Sequence, residues 1–372
     1  MTVDYFTSRR SFLKRSLAGG TAAMLGRHLP SAHAAQAASA AIPTVTGKIT
    51  SRVALTSGDD RANLAFTALQ PFKKEIASAI GDRRVLIKPN LVRLNMPLAV
   101  FHADNMEGIL EFLKSIGKRN ITIAESPSEG AAFDAFDNYG YNRFIGKYGV
   151  KLVDLDQDAY QYDFCFDERD GQPHPRRASK LLYDPDNFII SAAVMKTHML
   201  AGVTLSLKNV VIASGIKDRG SSFIIEHSAP GTKSDKPIAH GGGTHGVNYN
   251  LYALSEKLHP HLAVIDGYQG MEGDGPETGT AVDHKVCVAS LDWLAADCVG
   301  TALMGIDVRD IGYLTYCIRV GRGEGNLSKI EIVGPPIEDL ARSYKLPTNW
   351  AQITSWQKPL NPNAVKLMEA KP

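Results

Sequence analysis

Asn187 to Ala213 read N-F-I-I-S-A-A-V-M-K-T-H-M-L-A-G-V-T-L-S-L-K-N-V-V-I-A. The first eight residues, Asn187 to Val194, are short, continuous and apolar, which predicts a fully buried strand. Polar chemistry then arrives abruptly. Lys196, Thr197 and His198 fall where such a strand ends, Gly202 marks a turn, and Val203 to Ile212 resume an apolar pattern that carries Lys208 and Asn209. Ligands of open α/β sheets bind beyond the carboxyl ends of the strands, so lysine and histidine here are placed for chemistry. The plainer alternative is two solvated lysines and a hydrogen-bonded surface histidine.

Working outward, the same grammar repeats. Arg52–Thr56 reads as a strand, followed by a helix from Arg61 to Ile80 that Pro71 kinks or divides. Arg84–Ile87 is a second strand with Lys88-Pro89-Asn90 at its end, where proline is expected to turn the backbone towards solvent. A helix over Asp104–Ile116 leads to the strand Asn120–Ala124, with Glu125-Ser126-Pro127 at its end. A helix over Ala132–Tyr148 and a strand over Lys151–Asp154 follow. Alternation of this kind predicts an α/β fold, a mostly parallel open sheet with helices on both faces. Tyr162–Phe166 and Ser179–Leu182 predict an antiparallel hairpin added at the sheet's edge. Later elements are a helix over Asn248–Leu258, strands over Leu262–Ile265, Lys285–Ala289 and Lys329–Val333, and a helix over Trp293–Met304. The expected organisation is a leader (1–34), a linker (35–50), one α/β domain (51–334) and a peripheral tail (335–372).

Two segments lack periodicity. Gly215–Gly246 carries His227, His240 and His245 and is expected to be a lid over the site, its histidine spacing fitting no common zinc pattern. Met271-Glu272-Gly273-Asp274-Gly275-Pro276 combines glycines with acids, a composition suited to anion or metal binding.

The formal charge of +2 comes from the N-terminus. Ser8–Lys14 spells S-R-R-S-F-L-K, a twin-arginine export pattern, followed by a Gly- and Ala-rich run and the cleavage-like Ala32-His33-Ala34. The apolar run is shorter than the ~20 residues that span a bilayer, so a periplasmic or otherwise exported protein without stable membrane insertion is expected. Setting aside the five basic and one acidic residues of positions 1–34, out of 41 and 39, leaves 36 and 38. A near-neutral chain offers no electrostatic reason to bind nucleic acid. Cys165, Cys287, Cys298 and Cys317 include no C-x-x-C pair, so an iron-sulfur cluster or zinc ribbon has no motif here. Export would permit disulfides, but Cys287 and Cys298 sit in apolar patterns that suit buried, unpaired thiols. Thr56-Ser57-Gly58-Asp59-Asp60 lacks a dinucleotide fingerprint, and no G-x-S-x-G elbow occurs.

V-L-I-K-P-N-L-V (Val85–Val92), M-K-T-H-M-L-A-G-V-T-L-S-L-K-N (Met195–Asn209), V-I-D-G-Y-Q-G-M-E-G-D-G-P (Val264–Pro276) and D-W-L-A-A-D-C-V-G-T-A-L-M-G (Asp292–Gly305) together resemble the DUF362 family over Val53–Gly334. The family has no assigned function. Many members carry ferredoxin-like cysteine motifs, which this chain lacks. The segment His198-x-x-Ala201-Gly202 to Lys208 also resembles lactate racemases, which implies His198 as acid/base and Lys208 as anchor of a nickel pincer nucleotide.

The residues point to an exported enzyme acting on a small anionic molecule, or to a non-catalytic carrier using the same crevice. Lys88, Lys196 and Lys208 supply positive charge, and Asn90 and Asn209 orienting hydrogen bonds. His198, with an ordinary pKa of about 6.5, is the expected general acid/base. Glu125, Ser126, Asp266, Glu272 and Asp274 complete the candidate site, the acids pairing with lysines or holding a divalent cation. All require the strand ends to converge.

Overall fold

The computed structural model describes residues 50–218 and 233–358. The twin-arginine stretch, Ala32-His33-Ala34, the linker up to residue 49, His227 and the end of the expected tail lie outside them. The described chain runs β1 (Ser51–Ser57), α1 (Arg61–Leu69), α2 (Lys73–Ile80), β2 (Arg84–Pro89), α3 (Ala103–Ser115), β3 (Ile121–Glu125), α4 (Ala132–Asn138), α5 (Arg143–Tyr148) and β4 (Lys151–Asp154). It continues through β5 (Tyr160–Asp167), β6 (Gln172–Ser179), α6 (Lys180–Tyr183), β7 (Asn187–His198), β8 (Gly202–Thr204), α7 (Ser206–Ala213) and α8 (Thr244–Leu254). The last elements are β9 (Leu262–Glu272), β10 (Thr280–Ser290), α9 (Trp293–Leu303), α10 (Gly312–Arg319), β11 (Ile330–Val333), α11 (Ile337–Leu340) and α12 (Trp350–Ile353).

One nine-stranded sheet organises these elements in the order β11-β1-β10-β9-β7-β2-β3-β4, with β8 folded back on β7. From β9 to β4 every neighbour is parallel, as the alternation predicts. The β1-β10-β9 portion is antiparallel, so the sheet is mixed. Helices cover both faces. Side chains of α1 to α5 build one core with Ile87, Ile123, Ile190 and Val264. Those of α7 to α10 build the other with Leu86, Ile189, Ala193 and Ile265. Alternating residues of one strand thus enter different cores, and all twelve residues of β7 are buried. No helix among the described residues is long and apolar enough to cross a membrane.

The first core closes where α1 crosses α3 at Gly108, whose position would put a Cβ 2.1 Å from the Ala62 carbonyl oxygen. That oxygen belongs to helix backbone and has no room to retreat. Gly108→Ala is therefore expected to cost about 1–3 kcal/mol through forced separation of the helices. A denaturant midpoint unchanged from the parent would refute it.

Several expectations need correction. The hairpin pairs β5 with β6, not with Ser179–Leu182, and stands as its own two-stranded sheet instead of extending the main one. Pro173 and Pro175 hid the second strand from the pattern, yet a strand with a free edge tolerates residues that donate no ladder bond. The hairpin docks through buried Arg176, which holds Asp163 at 2.9 and 2.6 Å and donates to Val211 O of α7 and Ser214 Oγ. The helix expected over 132–148 breaks into α4 and α5 around Gly140 at φ 72°. Pro89 does not turn to solvent: it ends β2 in register with Ala192, and Leu91 and Phe101 are fully buried behind it. Residues 236–240 and α8 supply regular structure inside the segment expected to be irregular. Within the expected tail, Ile337, Tyr344, Ile353 and Trp356 are buried. All four cysteines are buried free thiols.

Candidate functional site

β7 carries the site because it is the central parallel strand and outruns its neighbour. After Val194 its register against β9 shifts, and Lys196, Thr197 and His198 pair with β8 as Lys196↔Thr204, Thr197↔Val203 and His198↔Gly202. Gly202, at φ 81°, makes this tight reversal possible. His198 fastens it: Nδ1 accepts from the N–H groups of Leu200 (3.0 Å) and Ala201 (3.3 Å). With Nδ1 accepting, the proton resides on Nε2, so the imidazole is a donor towards the site. Its ring stacks on His240 at 6.0 Å.

α7 follows at once and presents Lys208 and Asn209 from its first turn. Buried Asp297 of α9 seats that turn by accepting from Ser206 N (2.7 Å), Ser206 Oγ (2.5 Å) and Leu207 N (3.0 Å). Three donors on one carboxylate satisfy helix N–H groups that otherwise lack partners. Burial nonetheless pushes the Asp297 carboxyl up to about 7.

The strand ends do converge. Lys88 Nζ lies 2.5 Å from Glu125 Oε1 and 3.3 Å from Asn209 Oδ1. Glu125 also accepts from Leu91 N (2.6 Å) and Ser126 N (2.7 Å). Asn209 donates to Lys88 O (2.9 Å) and Ser191 Oγ (3.0 Å) and accepts from Asn90 Nδ2 (3.2 Å). Its polar atoms are thereby committed to holding β2, β7 and α7 together, and it supports the site from behind. Asn90 Oδ1, in contrast, is buried without a partner. Ser126 Oγ donates to Asp156, which also pairs with Lys217 at 2.5 Å.

Lys196 and Lys208 differ from Lys88. Lys196 Nζ donates to Ala99 O at 2.8 Å, and Lys208 Nζ has no hydrogen-bond acceptor among the described residues. Neither has a carboxylate at ion-pair distance there. Thr204, across the ladder from Lys196, is buried with its hydroxyl unpartnered. Burial, and for Lys196 the charge of Lys208, bring both amines down to about 7, with Glu277 opposing. Burial, then Lys208, then His240 and Lys196, push His198 well below its ordinary value. The ordinary order is inverted: the histidine stays neutral at pH 7, and two lysines titrate there.

Three expected members are elsewhere. β9 does not end at Ile265 but continues to Glu272, so Asp266 is mid-strand, paired with Val194 of β7, and its carboxylate lies beside Arg61 and His102 instead of with the lysines. Burial raises its carboxyl, while Arg61 and the Tyr268 N–H pull it down. Glu272 accepts from Lys345 N, and Asp274 from Thr348 N and Oγ1. Glu125, Asp266, Glu272 and Asp274 therefore do not form one cation site, and no group of three or more metal-ligating side chains occurs among the described residues.

The glycine-rich loop serves by position. Thr197 Oγ1 donates to Gly273 O (2.7 Å) and Met199 N to Gly275 O (2.9 Å), which seats the loop on the β7–β8 turn. A Cβ at Gly275 would stand 2.2 Å from Thr197 O, so only glycine allows this approach. The loop delivers Glu277, paired with Arg93 at 2.5 Å, to within electrostatic reach of Lys196 and Lys208. Glu277, Arg93, Asp156, Lys217 and Asp297 were missed in the sequence, and only the flanking glycine run signalled one of them. A surface groove of about 360 Å³ lined by Leu55, Asn63, Pro71 and Gly334 shares none of these groups. The charged side chains identify the site better than surface concavity does.

Among curated proteins, the Synechocystis sp. thylakoid-associated protein is 25% identical over 273 residues, 72% of this chain and 77% of its own length. A crystal structure of a Thermotoga maritima protein aligns at 11% identity with a TM-score of 0.37, covering 63% of this chain and 57% of that one. The family model described as "Domain of unknown function (DUF362)" matches residues 85–302, more than half of the chain, including β2 from Val85 onwards and all of β7, β8 and α7. This chain belongs to the DUF362 family.

Proposed function

We propose that the β2–β7–α7 crevice binds a small carboxylate or phosphate, with Lys196 and Lys208 as its counter-charges. The observation that carries this reading is two buried amines with no carboxylate at ion-pair distance among the described residues. Buried ammonium groups are strongly unfavourable unless something neutralises them, and an anionic ligand would do so. Lys88 is already matched by Glu125 and serves as scaffold. The acid/base role first given to His198 passes to the lysines, because amines near 7 exchange protons at neutrality and a neutral imidazole whose Nδ1 is occupied only donates.

The sign of the pH dependence follows. Anion binding needs protonated amines, so affinity for inorganic phosphate or acetate is expected to be greatest below pH 7. It should fall about tenfold for each pH unit per amine well above 7. Calorimetric titration at pH 6 and pH 9 measures this, and absence of binding by either probe at both pH values would sink the reading. Retained ligand without turnover would favour the carrier. The unaccepted amine of Lys208 also fits the nucleotide anchor implied by the racemase resemblance, which native-source protein would reveal as a stable adduct on that residue.

The proposal includes folded export, supported by S-R-R-S-F-L-K with Arg9 and Arg10. Replacing both arginines with lysine is expected to retain the protein in the cytoplasmic fraction. Unchanged partition between cell fractions would remove this part.

A further inference from the structure

Resting on the anion reading, we infer that Lys208 is a Schiff-base nucleophile for a small 2-oxo acid whose carboxylate is held by Lys196. Lys208 sits on a turn immobilised by Asp297, so its amine is presented from rigid structure. An ammonium has three donors and normally finds acceptors for them, whereas Lys208 Nζ has none among the described residues. Lys196 differs in the way the chemistry requires. Its amine is tethered to Ala99 O, suiting it to hold charge in place. A lysine beside a second cation in a desolvated pocket is a recognised route to a nucleophilic amine. The value of about 7 for Lys208 agrees with the geometry.

The other groups facing the amine are His198, His240 and Glu277. His198 Nε2–H can donate to the ligand's carbonyl oxygen as negative charge develops there. The amine lone pair attacks the carbonyl carbon, forming the C–N bond as the C=O π bond opens. The proton released by nitrogen neutralises the oxygen, giving a carbinolamine. Loss of water then breaks the C–O bond and leaves C=N. Amine and ketone become imine and water, so neither oxidant nor reductant is required.

The test uses the full chain with pyruvate and sodium borohydride at pH 7, read by intact mass and peptide mapping. Lactate, which has the carboxylate but no ketone, is the competitor. The expected product is a single addition of one pyruvate less one oxygen atom, on the peptide containing Lys208, and suppressed by excess lactate. Labelling should be on the order of a hundredfold faster than at exposed lysines, which hold less than about one neutral amine in a thousand at pH 7. Binding of pyruvate and lactate by calorimetry without an adduct on Lys208 overturns the Schiff base and leaves the anion reading standing. Failure of both to bind overturns both. Adducts spread over many lysines, or Lys208 already blocked in native protein, overturn the Schiff base alone. Peptide mapping of unmodified-sequence protein keeps the test independent of whether Lys208→Met folds.

Discussion

Glu125→Gln is expected to destabilise the protein by about 3–5 kcal/mol, the cost of removing one partner from a buried ion pair. Glu125 and Lys88 are 1% and 0% exposed, and their 2.5 Å contact bridges the ends of β2 and β3. Glutamine keeps the shape but turns one acceptor into a donor. One of the groups now served, Lys88 Nζ, Leu91 N or Ser126 N, must then face an N–H. Burial already depresses the Lys88 amine against the pull of Glu125, so without the carboxylate it discharges, which limits the loss. Urea unfolding with an unchanged m-value reads the effect. Lys88→Met together with Glu125→Gln should recover part of it, because no buried amine is then left without its counter-charge. A glutamine variant within about 1 kcal/mol of the parent would show that water, not protein, satisfies this pair.

Lys208→Met is expected to act in the opposite direction on stability while removing anion binding. The amine titrates at about 7 in the folded protein, against about 10.4 when unfolded. The unfolded chain therefore binds more protons between those values, and stability rises with pH across that window. Below pH 7 the penalty is fully present, on the order of a few kcal/mol. Methionine removes the titrating group, so the ligand-free variant should melt several degrees higher than the parent near pH 7. The gain should vanish as pH rises through 10, where the parent's amine is neutral in both states. A variant less stable than the parent at pH 7 would mean that a group outside the described residues compensates Lys208. A function-bearing residue that costs stability is common in binding sites.

Much of the site was legible because strand ends in a parallel sheet announce themselves. Lys88, Glu125, Lys196 and His198 each follow a short apolar run, and parallel pairing of β7, β2 and β3 brings those ends together. Asp266 follows such a run too, but there the pattern misled. Ile265 is not the last residue of β9, and seven further residues carry the strand on. Polar residues in mid-strand look the same in sequence as polar residues at an end. Glu277 and Asp297 were invisible for a different reason. Asp297 meets Ser206 91 positions away and Glu277 meets Arg93 184 positions away, and local periodicity carries no information about such distances.

By itself, the order of apolar runs, turns and helical periodicities determined an α/β sheet with helices on both faces. Those signals are local: they follow from side-chain burial and backbone preference within a few residues. Only the tertiary structure decided which neighbours each polar side chain meets, and with it the chemistry. Asp266 pairs with Val194 short of the strand end and meets Arg61 and His102, whereas Lys196, two residues further along β7 and past the register shift, reaches the crevice. Burial then reversed the ordinary roles of lysine and histidine, since the cost of holding charge depends on surroundings that no stretch of sequence contains.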